Sequence, residues 1–184
     1  MPDVRACDTT TNERLRAALK SQLHAALAML KEAIELCPEG LWEDTTPTNA
    51  LWQVAHHTLF MTHMNLIDDE ADFQPWEHQR PAQYPDGLPG PADPDSTLPL
   101  ITTPDTREEA LAYWQYCDDL VETGIDAIDL TRADSGSPRY PDMSKLEYLL
   151  NSLRHVQHHT GQLADRVRAA ADVGVRWVKA EHEP

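Results

Sequence analysis

The sequence predicts an all-α domain, a four-helix bundle with a long proline-rich insertion between its second and third helices. Apolar residues repeat at intervals of three and four in four separate segments, which is the period of an amphipathic helix. Three of these segments begin with the Ser/Thr-x-x-Glu pattern of a capping box. No segment of useful length alternates apolar and polar residues as a strand does, and 184 residues suit one domain spanning 1–184.

The first predicted helix runs from about Glu13 to Leu36. Thr10 and Glu13 fit a capping box, in which each side chain satisfies a backbone amide that the first turn leaves without a partner. Leucine, isoleucine and alanine then form a single apolar stripe. Pro38 and Gly40 are expected to stop the helix.

The second predicted helix, from about Asn49 to Ile67, carries apolar residues around most of its circumference. A helix that is apolar on all sides has to be buried on several of them. We therefore expect this helix at the centre of the bundle, and it is also a candidate for a dimer interface.

The stretch 68–104 is the proline-rich insertion. Its eight prolines prevent a continuous helix, and it opens with three consecutive acidic residues. Because a long irregular loop inside a compact domain is usually functional, we expect it to lie against the body of the protein. Phe73, Trp76 and Tyr84 are the expected apolar anchors. The alternative is a solvated acidic linker.

The third and fourth predicted helices run from about Thr106 to Leu130 and from about Lys145 to Ala171. Both begin with a capping box, the first at Thr106 and the second at Ser144, and both carry one apolar stripe. Gly174 is the expected stop of the last helix, since glycine readily adopts the left-handed conformation that ends helices. Residues 173–184 form a C-terminal tail.

Charge and cysteine content exclude several kinds of partner and site. Lys and Arg total 15 against 31 Asp and Glu, so the formal net charge is −16, and both nucleic acids and anionic membrane surfaces repel such a chain. The three cysteines are widely spaced and odd in number, which predicts free thiols in a reducing cytoplasm. No apolar run approaches the roughly 18 residues of a transmembrane helix.

Nine histidines stand out, and two of them have metal-ligand spacing. His155 and His159 are four apart, so both imidazoles lie on one helix face, at the edge between apolar stripe and polar surface. Tyr148 and Arg166 share this face, whereas His158 lies deeper in the polar face. Imidazole pairs of this kind suit zinc, nickel or iron. The alternative is a pair of ordinary histidines at the boundary of the core.

A catalytic metal site usually needs a third protein ligand. The second helix offers His56, His57 and His63, and apolar residues flank all three, so helical phase alone does not choose among them. His63 or an acidic residue of the insertion could also close the site with a fourth ligand. The remaining histidines lack a partner pattern and are interpreted as surface residues: His24, His78 and His182.

Two histidine-containing motifs are LWQVAHHTLF at 51–60 and LRHVQHHTGQL at 153–163. Together they resemble the DinB-like superfamily of metal-dependent hydrolases and thiol S-transferases, and the helix order agrees over a core of about 10–172. The resemblance implies a DinB-like four-helix bundle, often a homodimer, that binds a divalent metal ion through three histidines. Carried onto this chain, the ligands are His155, His159 and His57, rather than His56.

The resemblance also implies an enzyme that acts on a small molecule, as a hydrolase or as an S-transferase that uses a low-molecular-weight thiol. Tyr148 and Arg166 are candidates to position the substrate, although Arg166 fits a surface ion pair equally well. The alternative function is a non-catalytic metal-binding dimer in a stress response, with a closed rather than an open metal site. DNA handling is disfavoured by the negative charge and by the lack of a basic stripe.

Overall fold

The structure, a computed structural model, describes residues 4–46, 49–78 and 103–180, with side chains from Thr10 onwards. Within these ranges the chain is all-helical and contains no strand, which confirms the predicted all-α class. The helices are α1 (Val4–Glu35), α2 (Glu39–Trp42), α3 (Leu51–Asn65), α4 (Arg107–Ala127) and α5 (Lys145–Ala171), with a 3₁₀ turn at Glu70–Asp72. None of the helices in the described ranges combines the length and apolar character that crossing a bilayer requires.

The four long helices enclose one hydrophobic core. Helices α1 and α3 each pack against both α4 and α5. Some packed helices are therefore not neighbours along the chain, such as α1 and α5. Burial of this apolar surface is the main force that holds the helices together. Fully buried apolar side chains of the core include Leu23, Leu27, Leu30, Ile34, Leu51, Leu59, Ile125, Ile128, Leu149 and Leu163.

The predicted start of the first helix is wrong. Helix α1 begins at Val4, so Thr10 and Glu13 lie inside it rather than at its end. A capping box needs a chain that is not yet helical before the cap residue. Because the chain before Thr10 is already helical, its carbonyls can accept hydrogen bonds from the amides of the next turn, and those amides need no side-chain cap. The predicted end at Leu36 is within one residue of the observed Glu35.

Helix α3 is shorter than predicted, but its extensive burial is confirmed. It begins at Leu51 and ends at Asn65, and ten of its fifteen residues are buried. Its first turn is closed by Gln53, whose side-chain oxygen accepts from the Ala50 amide at 2.8 Å.

The single turn α2 was not predicted, and Trp42 fixes it by donating from Nε1 to the Asp105 carbonyl at 2.7 Å.

Both capping boxes predicted for the later helices are confirmed. In α4, the Glu109 amide donates to Thr106 Oγ1 at 3.1 Å, and the Thr106 amide donates to Glu109 Oε2 at 2.7 Å. Ser144 and Glu147 form the same reciprocal pair at the start of α5. These contacts satisfy amides that a helix start would otherwise leave without a partner.

The predicted end is wrong for α4 and correct for α5. Helix α4 ends at Ala127 instead of Leu130, where the Arg16 guanidinium of α1 donates to the carbonyls of Ile125 and Ile128. Helix α5 ends at Ala171 as predicted, but Asp172 takes the left-handed conformation, with a φ of 54°, in place of Gly174. Aspartate tolerates this conformation better than most residues do.

The first part of the insertion lies against the helices. Trp76 stacks on Tyr113 of α4, with ring centroids 4.9 Å apart, and Phe73 meets Phe60 of α3 at 5.5 Å. These two predicted anchors therefore hold residues 68–78 to the body, rather than leaving them as a solvated linker. Tyr84 and the rest of the insertion, 79–102, lie outside the described residues.

The connection between α4 and α5, residues 128–144, is bound to the chain that follows α3. Lys145 is almost fully buried, and its Nζ donates to the carbonyls of Ile67, Asp68 and Ser135 at 2.7–2.8 Å. Arg132 forms ion pairs with Asp68 and Asp69 at 3.3 and 2.9 Å. The acidic opening of the insertion is thus neutralised locally, and the connection is fixed beside the C-terminal end of α3.

Candidate metal centre

Three imidazoles from two helices meet at one point. His57 lies on α3, and His155 and His159 lie one turn apart on α5. The Nε2 atom of His155 is 3.0 Å from that of His57 and 3.1 Å from that of His159. One donor atom from each residue lies within 4.8 Å of the others, which is close enough for a shared metal ion.

The orientation of His159 is fixed by a neighbour on the same helix. Its Nδ1 lies 2.8 Å from Oε1 of Gln162, an acceptor, so Nδ1 carries the proton and the Nε2 lone pair faces the other two imidazoles. Metal-binding histidines usually have such an acceptor on the far nitrogen. In His155, Nδ1 is buried and has no hydrogen-bond partner among the described residues.

All three imidazoles are uncharged at neutral pH. Burial lowers the pKa of His57 to about 3, and the neighbouring His155 and His159 add to this shift. Burial, together with His159 and His158, lowers the pKa of His155 to about 4. Burial also lowers the pKa of His159, against the opposing hydrogen bond to Gln162. Neutral imidazoles offer the lone pairs that a metal ion requires.

Two of the three separations between the imidazole nitrogens of the triad are close to those around a tetrahedral ion. A Zn–N bond of about 2.0–2.1 Å places two ligand nitrogens about 3.3 Å apart in tetrahedral coordination. The observed separations of 3.0 and 3.1 Å are close to this value. A single shared proton can satisfy only one of the two close nitrogen pairs at a time, whereas a cation satisfies three lone pairs together.

A cavity of about 220 Å³ opens beside the triad. His57 and His155 form part of its wall, so the triad is accessible from one side. Its lining includes apolar, amide and guanidinium groups, and none of the described residues that line it carries a carboxylate. The other lining residues are Met61, Asn65, Arg139, Tyr140 and Asn151.

These five lining residues were not predicted from the sequence, although three of them show a helical spacing relative to the histidines. Met61 and Asn65 follow His57 at intervals of four, and Asn151 precedes His155 by four, so each helix presents one row of residues to the cavity. Arg139 and Tyr140 belong to the α4–α5 connection, where no helical period applies. Their place becomes evident only from the three-dimensional structure.

The two candidate substrate-positioning residues have different surroundings, and neither lines the cavity. Tyr148 is buried, and its hydroxyl donates to Oδ1 of Asn65, a cavity residue, while burial raises the tyrosine pKa. Asn65 in turn donates from Nδ2 to Ser152 at 3.0 Å. Arg166 donates from Nη1 to the Asn49 carbonyl at 2.8 Å, which ties α5 to the segment before α3.

The other two histidines of α3 face away from the triad. His56 Nδ1 lies 2.8 Å from Oδ2 of the buried Asp105. His63 is buried, and its two ring nitrogens hydrogen-bond the hydroxyls of Tyr113 and Tyr116 at 3.1 and 3.2 Å. Because both nitrogens are engaged by α4, His63 does not supply the fourth ligand considered from the sequence. Burial lowers the pKa of His63 to about 4.

The remaining histidines do not belong to the triad. His78 is exposed and His158 is exposed beside His159, as predicted, and His182 lies outside the described residues. The interpretation of His24 as a simple surface residue is wrong. Its ring joins α1 to α4, with Nδ1 2.7 Å from Asp118 Oδ1 and Nε2 3.1 Å from Glu122 Oε1.

Comparisons of the chain with protein-family models, with curated proteins and with solved structures found no match.

Proposed function

We propose that this protein is a metal-dependent enzyme of the DinB-like superfamily, in which His57, His155 and His159 hold a divalent zinc, nickel or iron ion. The observation that carries the proposal is the convergence of three neutral imidazole nitrogens at the wall of an accessible cavity. The two sequence motifs that carry the family resemblance contain these same three histidines. The packing of α1 and α3 against both α4 and α5 agrees with a four-helix bundle.

The chain's own residues have defined tasks in this proposal. Gln162 keeps the proton on Nδ1 of His159, so that Nε2 stays available as a ligand. Tyr148 orients the amide of Asn65, which faces the cavity. A divalent ion bound by the histidines would lower the pKa of a thiol or a water molecule in its open coordination position.

The reaction class that we favour is thiol S-transfer, with hydrolysis as the second choice. Both need room for a small molecule beside the ion, and the cavity next to His57 and His155 provides it. A non-catalytic metal-binding protein would be expected to have a closed site with a fourth protein ligand. The engagement of His63 by two tyrosines weakens this alternative.

Elemental analysis of the purified protein tests the metal site. We expect about one divalent ion per chain, and we expect the double substitution His155→Ala with His159→Ala to remove it. A matched control replaces the exposed His78 together with His182 by alanine, so that two histidines are again lost. Equal metal content in the unaltered protein and in the His155/His159 variant would refute the proposed site.

Activity is tested separately on the metal-loaded protein. Bacillithiol, mycothiol and glutathione are each offered with electrophiles, and thiol consumption is followed with and without a chelator. Chelator-sensitive consumption is the expected result for S-transfer. Release of product without a thiol would instead indicate hydrolysis.

The homodimer implied by the resemblance stays a prediction, and the molar mass in solution tests it against the 20.7 kDa of one chain.

A further inference from the structure

The cavity beside the histidine triad is electrostatically unlike the rest of the protein. The chain has a formal net charge of −16, yet among the described residues that line the cavity the only charged side chain is that of Arg139. A bound divalent ion would add further positive charge. Such a site attracts an anionic ligand more strongly than a neutral one.

The guanidinium of Arg139 is available for a ligand. Its Nη2 atom pairs with Glu70 Oε1 at 3.3 Å and contacts the sulfur of Met64. The described residues form no hydrogen bond with Nε or Nη1, and 38% of the side chain is exposed. Glu70 does not line the cavity and is itself bound by the hydroxyl of Ser137. Glu70 therefore holds the guanidinium in place without filling the cavity.

The chain segment that carries Arg139 is well fixed. The Glu70 amide donates to the Gly136 carbonyl at 2.8 Å, and Ser135 Oγ donates to the Tyr140 carbonyl at 2.8 Å. Lys145 binds the Ser135 carbonyl at the same distance. A guanidinium presented by a fixed segment loses little conformational entropy when a ligand binds, which favours a binding role.

We propose that this cavity binds a small carboxylic acid, and that Arg139 is the residue that binds its carboxylate. The proposal rests on the proposed function, because the other end of the ligand would face the histidine-bound ion. Amide groups of Asn65 and Asn151 lie in the same cavity and can complete the polar contacts. A volume of about 220 Å³ lies below the roughly 300–1,000 Å³ that drug-sized ligands occupy, so the ligand is small.

A carboxylate fits this site better than a phosphate does. With Nη2 held by Glu70, Nη1 or Nε of Arg139 can still donate one charge-assisted hydrogen bond to an oxygen of a singly charged carboxylate. Phosphate sites commonly add a lysine, a helix N-terminus or a group of backbone amides. The part of the cavity wall that the structure describes contains no lysine, and neither Tyr140 nor Asn151 belongs to the first turn of a helix.

The test compares two thiols that differ in charge. The full chain is loaded with cobalt(II), and 3-mercaptopropionate and 3-mercaptopropanamide are titrated while the thiolate-to-cobalt absorption is recorded. We expect the affinity for the acid to exceed that for the amide by about tenfold or more, which corresponds to the contribution of one charge-assisted hydrogen bond. In Arg139→Gln this preference should fall to about one, and in Arg139→Lys it should be intermediate. Arg154→Gln, at an exposed position of α5, is the control and should keep the full preference.

Each other outcome has a definite meaning. Equal affinities for acid and amide in the unaltered protein, or a preference retained in Arg139→Gln, would overturn the proposal and leave the thiol-dependent function standing. Stronger competition by inorganic phosphate than by propionate would overturn the assignment to carboxylates. If neither thiol changes the cobalt absorption, the proposed function fails. The role of Arg139 is then tested on metal-free protein by NMR, with propionate compared with propanamide. Chemical-shift changes that propionate causes and Arg139→Gln abolishes support carboxylate binding by Arg139, and their absence overturns it.

Discussion

At the scale of single residues, the hydrogen bond between His159 and Gln162 explains why one ligand nitrogen points at the others. Gln162→Ala removes the acceptor on Nδ1, and the imidazole can then rotate or change tautomer. We expect the affinity for zinc to fall about 10- to 100-fold, measured by competition with a chromophoric chelator. Gln115→Ala, at an exposed position of α4, should leave the affinity unchanged. An unaltered affinity in Gln162→Ala would contradict this role.

His24 gives the protein a pH-dependent contact between α1 and α4. Burial alone would lower its pKa, but the hydrogen bond and charge of Asp118, helped by Glu122, outweigh burial and raise it. Because the folded-state pKa exceeds the unfolded value, the stabilisation is complete below about pH 6.5 and is lost as pH rises through the folded pKa.

The prediction for His24 is a difference in unfolding free energy between the unaltered protein and His24→Gln that shrinks as pH rises. Urea unfolding of both proteins from pH 5.5 to 8.5 measures this difference. The metal-free triad acts in the opposite direction, since its pKa values are lowered and stability falls as pH decreases below 6.5. Comparison with the variant isolates the His24 contribution. A difference that is constant with pH would contradict the prediction.

At the scale of the helices, two glycines in helical positions have opposite surroundings. A Cβ atom on Gly124 of α4 would lie 2.7 Å from the Leu66 carbonyl, at the contact between α4 and the end of α3. A Cβ atom on Gly161 of α5 would meet nothing within 4 Å. The first glycine permits close packing of two elements, whereas the second only weakens its helix.

Alanine substitution should therefore change stability in opposite directions. We expect Gly124→Ala to lower the free energy of unfolding by about 1–3 kcal/mol, because backbone atoms have to move apart. Gly161→Ala should raise it by about 0.5–1 kcal/mol through the better helix propensity of alanine. Chemical denaturation measures both. Equal effects of the two substitutions would show that the close contact at Leu66 does not limit packing.

Helix starts were predictable where the signal is local. The capping boxes at Thr106 and Ser144 were identified correctly, because the cap and its partner are only three residues apart. The same pattern at Thr10 was misleading, since the chain before it is helical. The stop at Asp172 was missed because an aspartate takes the left-handed conformation there instead of Gly174.

The site itself could be predicted only in part. The four-residue spacing of His155 and His159 is visible in the sequence, and the same rule extends to Asn151. The pairing of α3 with α5 depends on the whole core, so spacing alone left His56, His57 and His63 as alternatives. Arg139 reaches the cavity through contacts between residues more than sixty positions apart, such as Lys145 with Ile67. Long-range contacts of this kind have no local signature.

At the scale of the whole molecule, a metal ion would join α3 to α5. A ligand that binds only the folded state stabilises it, by about 2.7 kcal/mol at a free concentration one hundred times the dissociation constant. For a chain of this length we expect zinc to raise the melting temperature by roughly 5–10 °C. Circular dichroism follows the transition. The variant with both His155→Ala and His159→Ala should show no rise, and an equal rise would mean that zinc binds elsewhere.

The central claim is that His57, His155 and His159 form one ligand set, and X-ray absorption at the metal edge of the zinc-loaded protein tests it most directly. We predict a shell of three imidazole nitrogens at about 2.0–2.1 Å, with one further light atom. In the variant lacking His155 and His159 this imidazole signal should disappear. A shell of oxygen or sulfur atoms without imidazole, or the same spectrum in the variant, would contradict the account.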